Sequence, residues 1–182
     1  MNRKGFTIIE LMAVLIIMAI LAGITVNISS KEIKEAELQD LVTNMLLIQA
    51  KVKISVEEVN FKVSNLNENN DSEKINNAKS GLIGDEISNV SDLYEYISDE
   101  QKNNPNNSYY YLSDEDLNNM GLAQLISEEN NYYVYILEDI DTGNGVENGV
   151  EYEINDIIYT GGYTDSDRIY YSLSELEKLQ NS

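Results

Sequence analysis

A single acidic residue, Glu10, stands near the start of an apolar run that extends from Phe6 to Val26. As a helix this run spans roughly 30 Å, which is the thickness of a bilayer core. A carboxylate inside a spanning helix costs on the order of 2.5–3.5 kcal/mol on insertion scales, so it requires a partner or a function. Arg3 and Lys4 precede the run and predict a cytoplasmic N-terminus, with the rest of the chain outside.

Two simpler interpretations of this segment are also open. A secretory signal peptide has a shorter apolar core of about 7–15 residues and then a small-residue cleavage site, for which Ala22 and Gly23 are candidates. A plain membrane anchor explains the length of the run but gives Glu10 no role. For Glu10 itself, the alternative is an acid that lies exposed among the lipid headgroups.

The segment from Gly5 to Leu11 reads GFTIIEL, and it resembles the processing motif of type IV prepilins and pseudopilins. The resemblance implies that a prepilin peptidase cuts after Gly5 and that Phe6 becomes an N-methylated terminus. It also implies that Glu10 pairs with the terminal amine of a neighbouring subunit. A buried amine and a buried carboxylate are each costly alone, and joining them removes much of both penalties.

The apolar run departs from the family pattern at two positions. The family often has Gly where this chain has Ala19, and Pro where it has Asn27. Those two residues commonly bound a stretch of helix that loosens on assembly. Gly23 and Thr25 give some local softness, since Gly weakens a helix by roughly 1 kcal/mol. Whether this helix loosens between Ala19 and Asn27 is therefore an open question.

The helical pattern continues beyond the apolar run, with apolar residues recurring every three or four positions along one face. These residues are Leu38, Leu41, Met45, Ile48, Val52, Val56, Val59 and Val63. We predict one helix from about residue 6 to residue 63, roughly 85 Å long at 1.5 Å per residue. Its second half has the single apolar face that packing on a sheet requires.

Beyond this helix, the sequence predicts strands joined by turns and short helices. Residues 64–80 are dense in Asn, Glu, Asp and Ser and predict a long exposed loop. Strands are predicted at residues 108–112, 131–139, 150–160 and 168–173. Short helices are predicted at residues 92–97, 114–120 and 174–180. Ser113 is the predicted N-cap of the second short helix, and Gly121 closes it.

A long N-terminal helix followed by a small antiparallel sheet has the element order of the pilin fold, so we expect an α+β protein of that kind. The expected organisation has four parts. They are a leader at residues 1–5, a transmembrane or filament-core helix at 6–26, the amphipathic half of the same helix at 27–63, and a soluble head at 64–182.

Charge and composition argue against several classes of function. The chain has 12 Lys and Arg against 32 Asp and Glu, a net charge of −20, and so it repels nucleic-acid phosphates. It has no Cys and no His, which excludes disulfides, zinc–thiolate sites and an imidazole base. G-x-S-x-G, Walker and H-E-x-x-H motifs are absent from the sequence. We therefore predict a chain that is not an enzyme and does not bind nucleic acid directly.

Calcium is the one cofactor that the acidic loops suggest. Some pseudopilins hold a calcium ion in a late loop, and carboxylate and carbonyl oxygens are the ligands that calcium prefers. The candidate ligands here are Asp139, Asp141, Asn144 and Glu147. Their spacing does not fit an EF-hand loop, and the alternative is an ordinary solvated hairpin turn.

The resemblance implies a structural subunit of an extracellular type IV pilus or pseudopilus, supporting adhesion, motility or secretion. The implied partners are other pilins, a prepilin peptidase, a membrane assembly platform and a motor ATPase. We expect a single-pass membrane protein that later enters an extracellular filament. Because many Gram-negative pilins close their C-terminal region with a disulfide, the absence of Cys favours a Gram-positive source. The alternative is a monomeric membrane-anchored surface domain that binds a ligand without polymerising.

Overall fold

The computed structural model describes residues 8–64, 72–126, 130–141 and 150–181. The chain divides into two compact units, Met1–Gln39 and Asp40–Ser182. Helix α1 extends over Ile8–Ser64, which is 57 residues. This confirms the long helix predicted from residue 6 to residue 63, apart from its first two residues, which lie outside the described ranges.

In the first unit, every described residue belongs to α1. The large apolar side chains described near its start are exposed, namely Met12, Val14, Leu15, Ile16 and Met18. Within the described ranges, no helix has a stretch that is both long enough and apolar enough to cross a membrane.

The second unit contains a five-stranded sheet and several short helices. The strands are β1 (Asp85–Glu86), β2 (Asn107–Leu112), β3 (Tyr133–Asp141), β4 (Val150–Asp165) and β5 (Arg168–Ser172). The short helices are α2 (Ser72–Lys79), α3 (Asp99–Asn103), α4 (Asp114–Asn119) and α5 (Leu173–Gln180), with 3₁₀ turns at Val90–Leu93 and Ala123–Leu125. Neighbouring strands follow the chain order and pair antiparallel throughout. The α+β class and the antiparallel sheet are therefore confirmed.

Strand β4 is longer than the predicted residues 150–160 because it serves two partners. Its first part pairs with β3, from Val150 opposite Asp141 to Tyr159 opposite Tyr133. Its last part pairs with β5 through a tight turn in which Ser166 has a φ of 55°. Ile158 lies opposite Ser172 of β5, so only the part of β4 before Ile158 has an edge that β5 does not cover.

One face of the sheet packs against the second half of α1. The buried residues of α1 recur every three or four positions, as the sequence predicted, and they are Leu38, Val42, Met45, Ile48, Val52, Val56, Val59 and Val63. Leu41 is only half-buried, and Val42 takes its place in the core. The side-chain amide of Asn60 also joins α1 to the open edge of β4. It accepts from the N–H of Tyr152 and donates to its carbonyl, both at 2.9 Å.

The opposite face of the sheet has its own apolar cluster beneath the 3₁₀ turn at Val90–Leu93. This cluster comprises Leu93, Ile97, Tyr109, Val134, Ile136 and Ile158. Because both faces are covered, the central strand β3 is buried at every residue from Tyr133 to Leu137. Buried tyrosines contribute to each face, which explains why so polar a chain still forms a core.

Two local predictions were wrong. Residues 64–80 were predicted as a loop, but α2 forms within them, because Ala78 is buried and Lys79 lies over the ring of Tyr152 at 4.8 Å. The helix predicted at residues 92–97 is instead the 3₁₀ turn Val90–Leu93, followed by α3. Helix α3 begins after Ser98, whose capping box with Gln101 satisfies the first backbone amides.

The other short helices agree with the sequence. Ser113 caps α4 through a capping box with Asp116, and Gly121 follows the helix with a φ of 76°. A positive φ of this size favours glycine, which has no Cβ to clash with the carbonyl. Helix α5 begins one residue earlier than predicted, at Leu173, with Ser172 as its N-cap.

Candidate functional site

The residues predicted to be processed lie at the edge of what the structure describes. Gly5 and Phe6 lie outside the described residues. Glu10 lies in the first described turn of α1, where only its backbone is described. Its pairing with a terminal amine therefore stays a prediction.

Of the four predicted calcium ligands, two lie in β3 and two lie outside the described residues. Asp139 and Asp141 are at the end of that strand, whereas Asn144 and Glu147 fall in the segment 142–149. Among the side chains that the structure describes, no group of three acidic residues is close enough together to hold a metal ion. Calcium at this loop stays a prediction.

Asp139 itself is held in an unusual environment. Its Oδ1 is buried and has no hydrogen-bond partner among the described residues. Burial raises the pKa of this carboxyl group, nearby Lys79 partly offsets the rise, and Glu86 adds to it.

The buried tyrosines form stacked pairs across neighbouring strands. The rings of Tyr110 and Tyr135 stack with centroids 4.9 Å apart, and those of Tyr133 and Tyr159 with centroids 4.7 Å apart. Burial raises the pKa of Tyr110, Tyr133 and Tyr135 well above the usual value near 10. It raises the pKa of Tyr152 to about 12, with Asp139 adding to the effect.

These tyrosines predict that the head loses stability as the pH rises above about 10. Because their pKa values are higher in the folded state, the unfolded chain loses protons first as the pH rises. The stability that their neutral forms provide is therefore complete below about pH 10 and is lost as the pH rises through the folded pKa values. Urea unfolding between pH 8 and pH 12 checks this. A stability that is constant up to pH 12 would show that these hydroxyl groups are not buried.

A polar cleft of about 620 Å³ lies between α3 and α5, and a buried carboxylate forms part of its wall. Asp156 is only 3% exposed and accepts four hydrogen bonds. Its Oδ1 accepts from the backbone amides of Ile157 at 2.9 Å and Ser174 at 3.2 Å. Its Oδ2 accepts from Gln101 Nε2 at 3.1 Å and Ser174 Oγ at 2.7 Å. This one side chain therefore joins α3, β4 and α5.

Three further charged groups of the cleft, on Glu138, Arg168 and Glu175, have partners within the chain. Glu138 accepts from the side-chain amides of Asn104 at 2.8 Å and Asn155 at 2.9 Å. Arg168 forms an ion pair with Glu175 at 2.7 Å. Such internally satisfied groups position the elements around them, so we interpret the cleft as structural. Asp156 was not among the site residues predicted from the sequence, although an acid between Ile154 and Ile157 in a strand was a signal.

In the second half of α1, the outer face differs from that of an ordinary solvated helix. On the side opposite the core it exposes Leu47, Ala50, Ile54 and Phe61. Phe61 is 71% exposed and Ile54 is 60% exposed. These fractions are high for large apolar side chains on the same face of one helix. Lys53 and Glu58 flank them, and both line a shallow depression together with Ala50, Ile54 and Phe61.

Comparison with known proteins identifies the N-terminal segment. Residues 1–26 match the family model of the prokaryotic N-terminal methylation motif. The matched segment contains Gly5, Phe6 and Glu10, and it supports a type IV pilin-like chain that is processed by a prepilin peptidase and anchored in the membrane. No curated protein and no solved structure matches the chain.

Proposed function

We propose that the chain is a structural subunit of a type IV pilus or pseudopilus. The observation that carries this proposal is the methylation motif at residues 1–26. It stands at the start of a helix of 57 residues whose second half packs on an antiparallel sheet. The chain acts by assembly and not by catalysis. A prepilin peptidase trims it after Gly5, and a membrane platform with a motor ATPase moves it from the bilayer into the filament.

The physical reason for trimming is the acid at Glu10. Cutting after Gly5 creates a cationic amine at Phe6, and in the filament this amine meets Glu10 of a neighbouring copy. A buried charge left alone is strongly unfavourable, whereas a paired one is tolerated. The pair therefore favours the register in which the two groups meet. The head, which carries most of the acidic residues, forms the filament surface.

Blocking the cut tests this proposal. In cells that have an active prepilin peptidase, we expect the Gly5→Val chain to keep its full length and to be missing from sheared filaments. The branched side chain stands where the peptidase accepts glycine, and without the cut no amine forms at Phe6. The measurements are the mass of the membrane-bound chain and its amount in the sheared fraction.

Thr7→Val is the matched control, because it places the same valine side chain on the other side of Phe6. This variant should be trimmed and should enter filaments like the unaltered chain. A trimmed, unaltered chain that never appears in sheared filaments would contradict polymerisation. It would favour the monomeric membrane-anchored domain.

A further inference from the structure

Three exposed apolar residues in the second half of α1 have the spacing of a helix–helix seam. Leu47, Ile54 and Phe61 lie seven residues apart, and Ala50 lies between the first two. A stripe with this spacing drifts by only about 20° per heptad on a straight helix, so its members stay on one side. This is the pattern by which one helix packs along another, with the residues of the stripe inserting between those of the partner.

The charges beside the stripe match those of a second copy. Lys53 and Glu58 are both exposed and lie on opposite flanks of it. In a parallel pair of helices in register, a residue on one flank faces the residue five positions later on the partner. Lys53 of each copy then faces Glu58 of the other, so the attraction occurs twice. Elsewhere two copies repel each other, since each chain carries a net charge of −20.

The orientation follows from the proposed function, on which this inference rests. Two precursors whose N-termini are held in the same membrane have helices that run in the same direction. We propose that this face of α1 packs, in parallel and in register, against the same face of α1 in a second copy of this chain. The two chains form this pair in the membrane before they enter a filament.

The pair is weak by itself, and the sequence shows why. Glu57 occupies the seam position after Ala50, so in a parallel pair it faces Glu57 of the second copy. Like charges at this distance repel, and the apolar stripe is far smaller than the surface of a stable dimer. The contact therefore depends on the membrane, which holds the helices side by side and raises their effective concentration.

Single cysteines test the pair, because the chain has no cysteine of its own. In the full-length chain in cell membranes, we expect Leu47→Cys and Phe61→Cys each to give disulfide-linked dimers with a mild oxidant. Asn119→Cys, exposed on α4, is the control and should stay monomeric. Absence of dimers from both seam variants would overturn the proposal. So would dimers that form only when the two variants are expressed together, because antiparallel helices place residue 47 against residue 61.

A charge exchange separates this contact from chance collisions. With Leu47→Cys as reporter, Lys53→Glu should lower the dimer yield by roughly threefold or more, and adding Glu58→Lys should restore it. Glu57→Ala should raise the yield, because it removes the like charge from the seam. Dimer yields that stay the same after all three changes would overturn the proposed register.

The inference and the proposed function fail in different ways. The dimer forms before processing, so Leu47→Cys should cross-link equally well in a Gly5→Val chain. If the chain is trimmed and enters filaments but gives no cross-link, that result contradicts only the proposed helix pair. If the chain cross-links but is never trimmed, that result contradicts the proposed function. The helix pair then belongs to a membrane-anchored dimer.

Discussion

Replacing Asp156 with alanine is expected to lower the free energy of unfolding of the head by roughly 3–5 kcal/mol. The change leaves four donors in a buried site without their acceptor, on Gln101, Ile157 and Ser174. A buried donor that loses its partner costs about 1–3 kcal/mol, and the groups here partly relax, so the sum is smaller than four separate losses. Urea unfolding of the compact unit at residues 40–182 measures the change.

Two further variants serve as comparisons for Asp156→Ala. Asp156→Asn keeps one acceptor oxygen but turns an amide toward existing donors, so its loss should be smaller than that of the alanine variant. Glu153→Ala removes an exposed acid from the same strand and should change stability by no more than about 0.5 kcal/mol. Equal stabilities for Asp156→Ala and Glu153→Ala would show that the carboxylate does not join the three elements.

Replacing Glu10 with alanine is expected to reduce the amount of the chain in sheared filaments by at least roughly tenfold. The amine at Phe6 would then be buried without a counter-charge, and breaking such a pair costs about 3–5 kcal/mol. Trimming after Gly5 should continue, because the role proposed for Glu10 begins only after the cut. The mass of the membrane-bound chain therefore separates a failure of assembly from a failure of processing.

Glu32→Ala is the matched control for this experiment. Glu32 is an exposed acid further along α1, outside the apolar run, and its removal should leave the filament yield unchanged. Equal incorporation of the Glu10→Ala chain and the unaltered chain would remove the pairing role of Glu10 and leave it as an acid among the headgroups.

The parts of the fold that the sequence predicted are those with a periodic signal. The spacing from Met45 to Val63 gave the buried face of α1, because a residue every three or four positions leaves little freedom about which side is apolar. The capping residues Ser113 and Gly121 located α4 for a similarly local reason. Strands rich in Tyr, Val and Ile were located to within a few residues.

The errors lie where tertiary contacts override local composition. Residues 72–79 are too polar to predict a helix, and α2 forms because Ala78 and Lys79 reach the core and the ring of Tyr152. Local sequence also does not show that Asn60 meets Tyr152, since 92 residues separate them. For the same reason, the role of Asp156 emerged only from the structure, whereas Glu10 was visible at once against its apolar neighbours.

The mass of the cell-associated chain is the most direct test of processing at Gly5. In a strain with an active prepilin peptidase, we predict a chain that starts at Phe6, with its terminal amine methylated. That mass means that the cut has created the amine that Glu10 requires. A chain that still starts at Met1 in such a strain would contradict the proposed assembly, because Glu10 would then have no amine to meet.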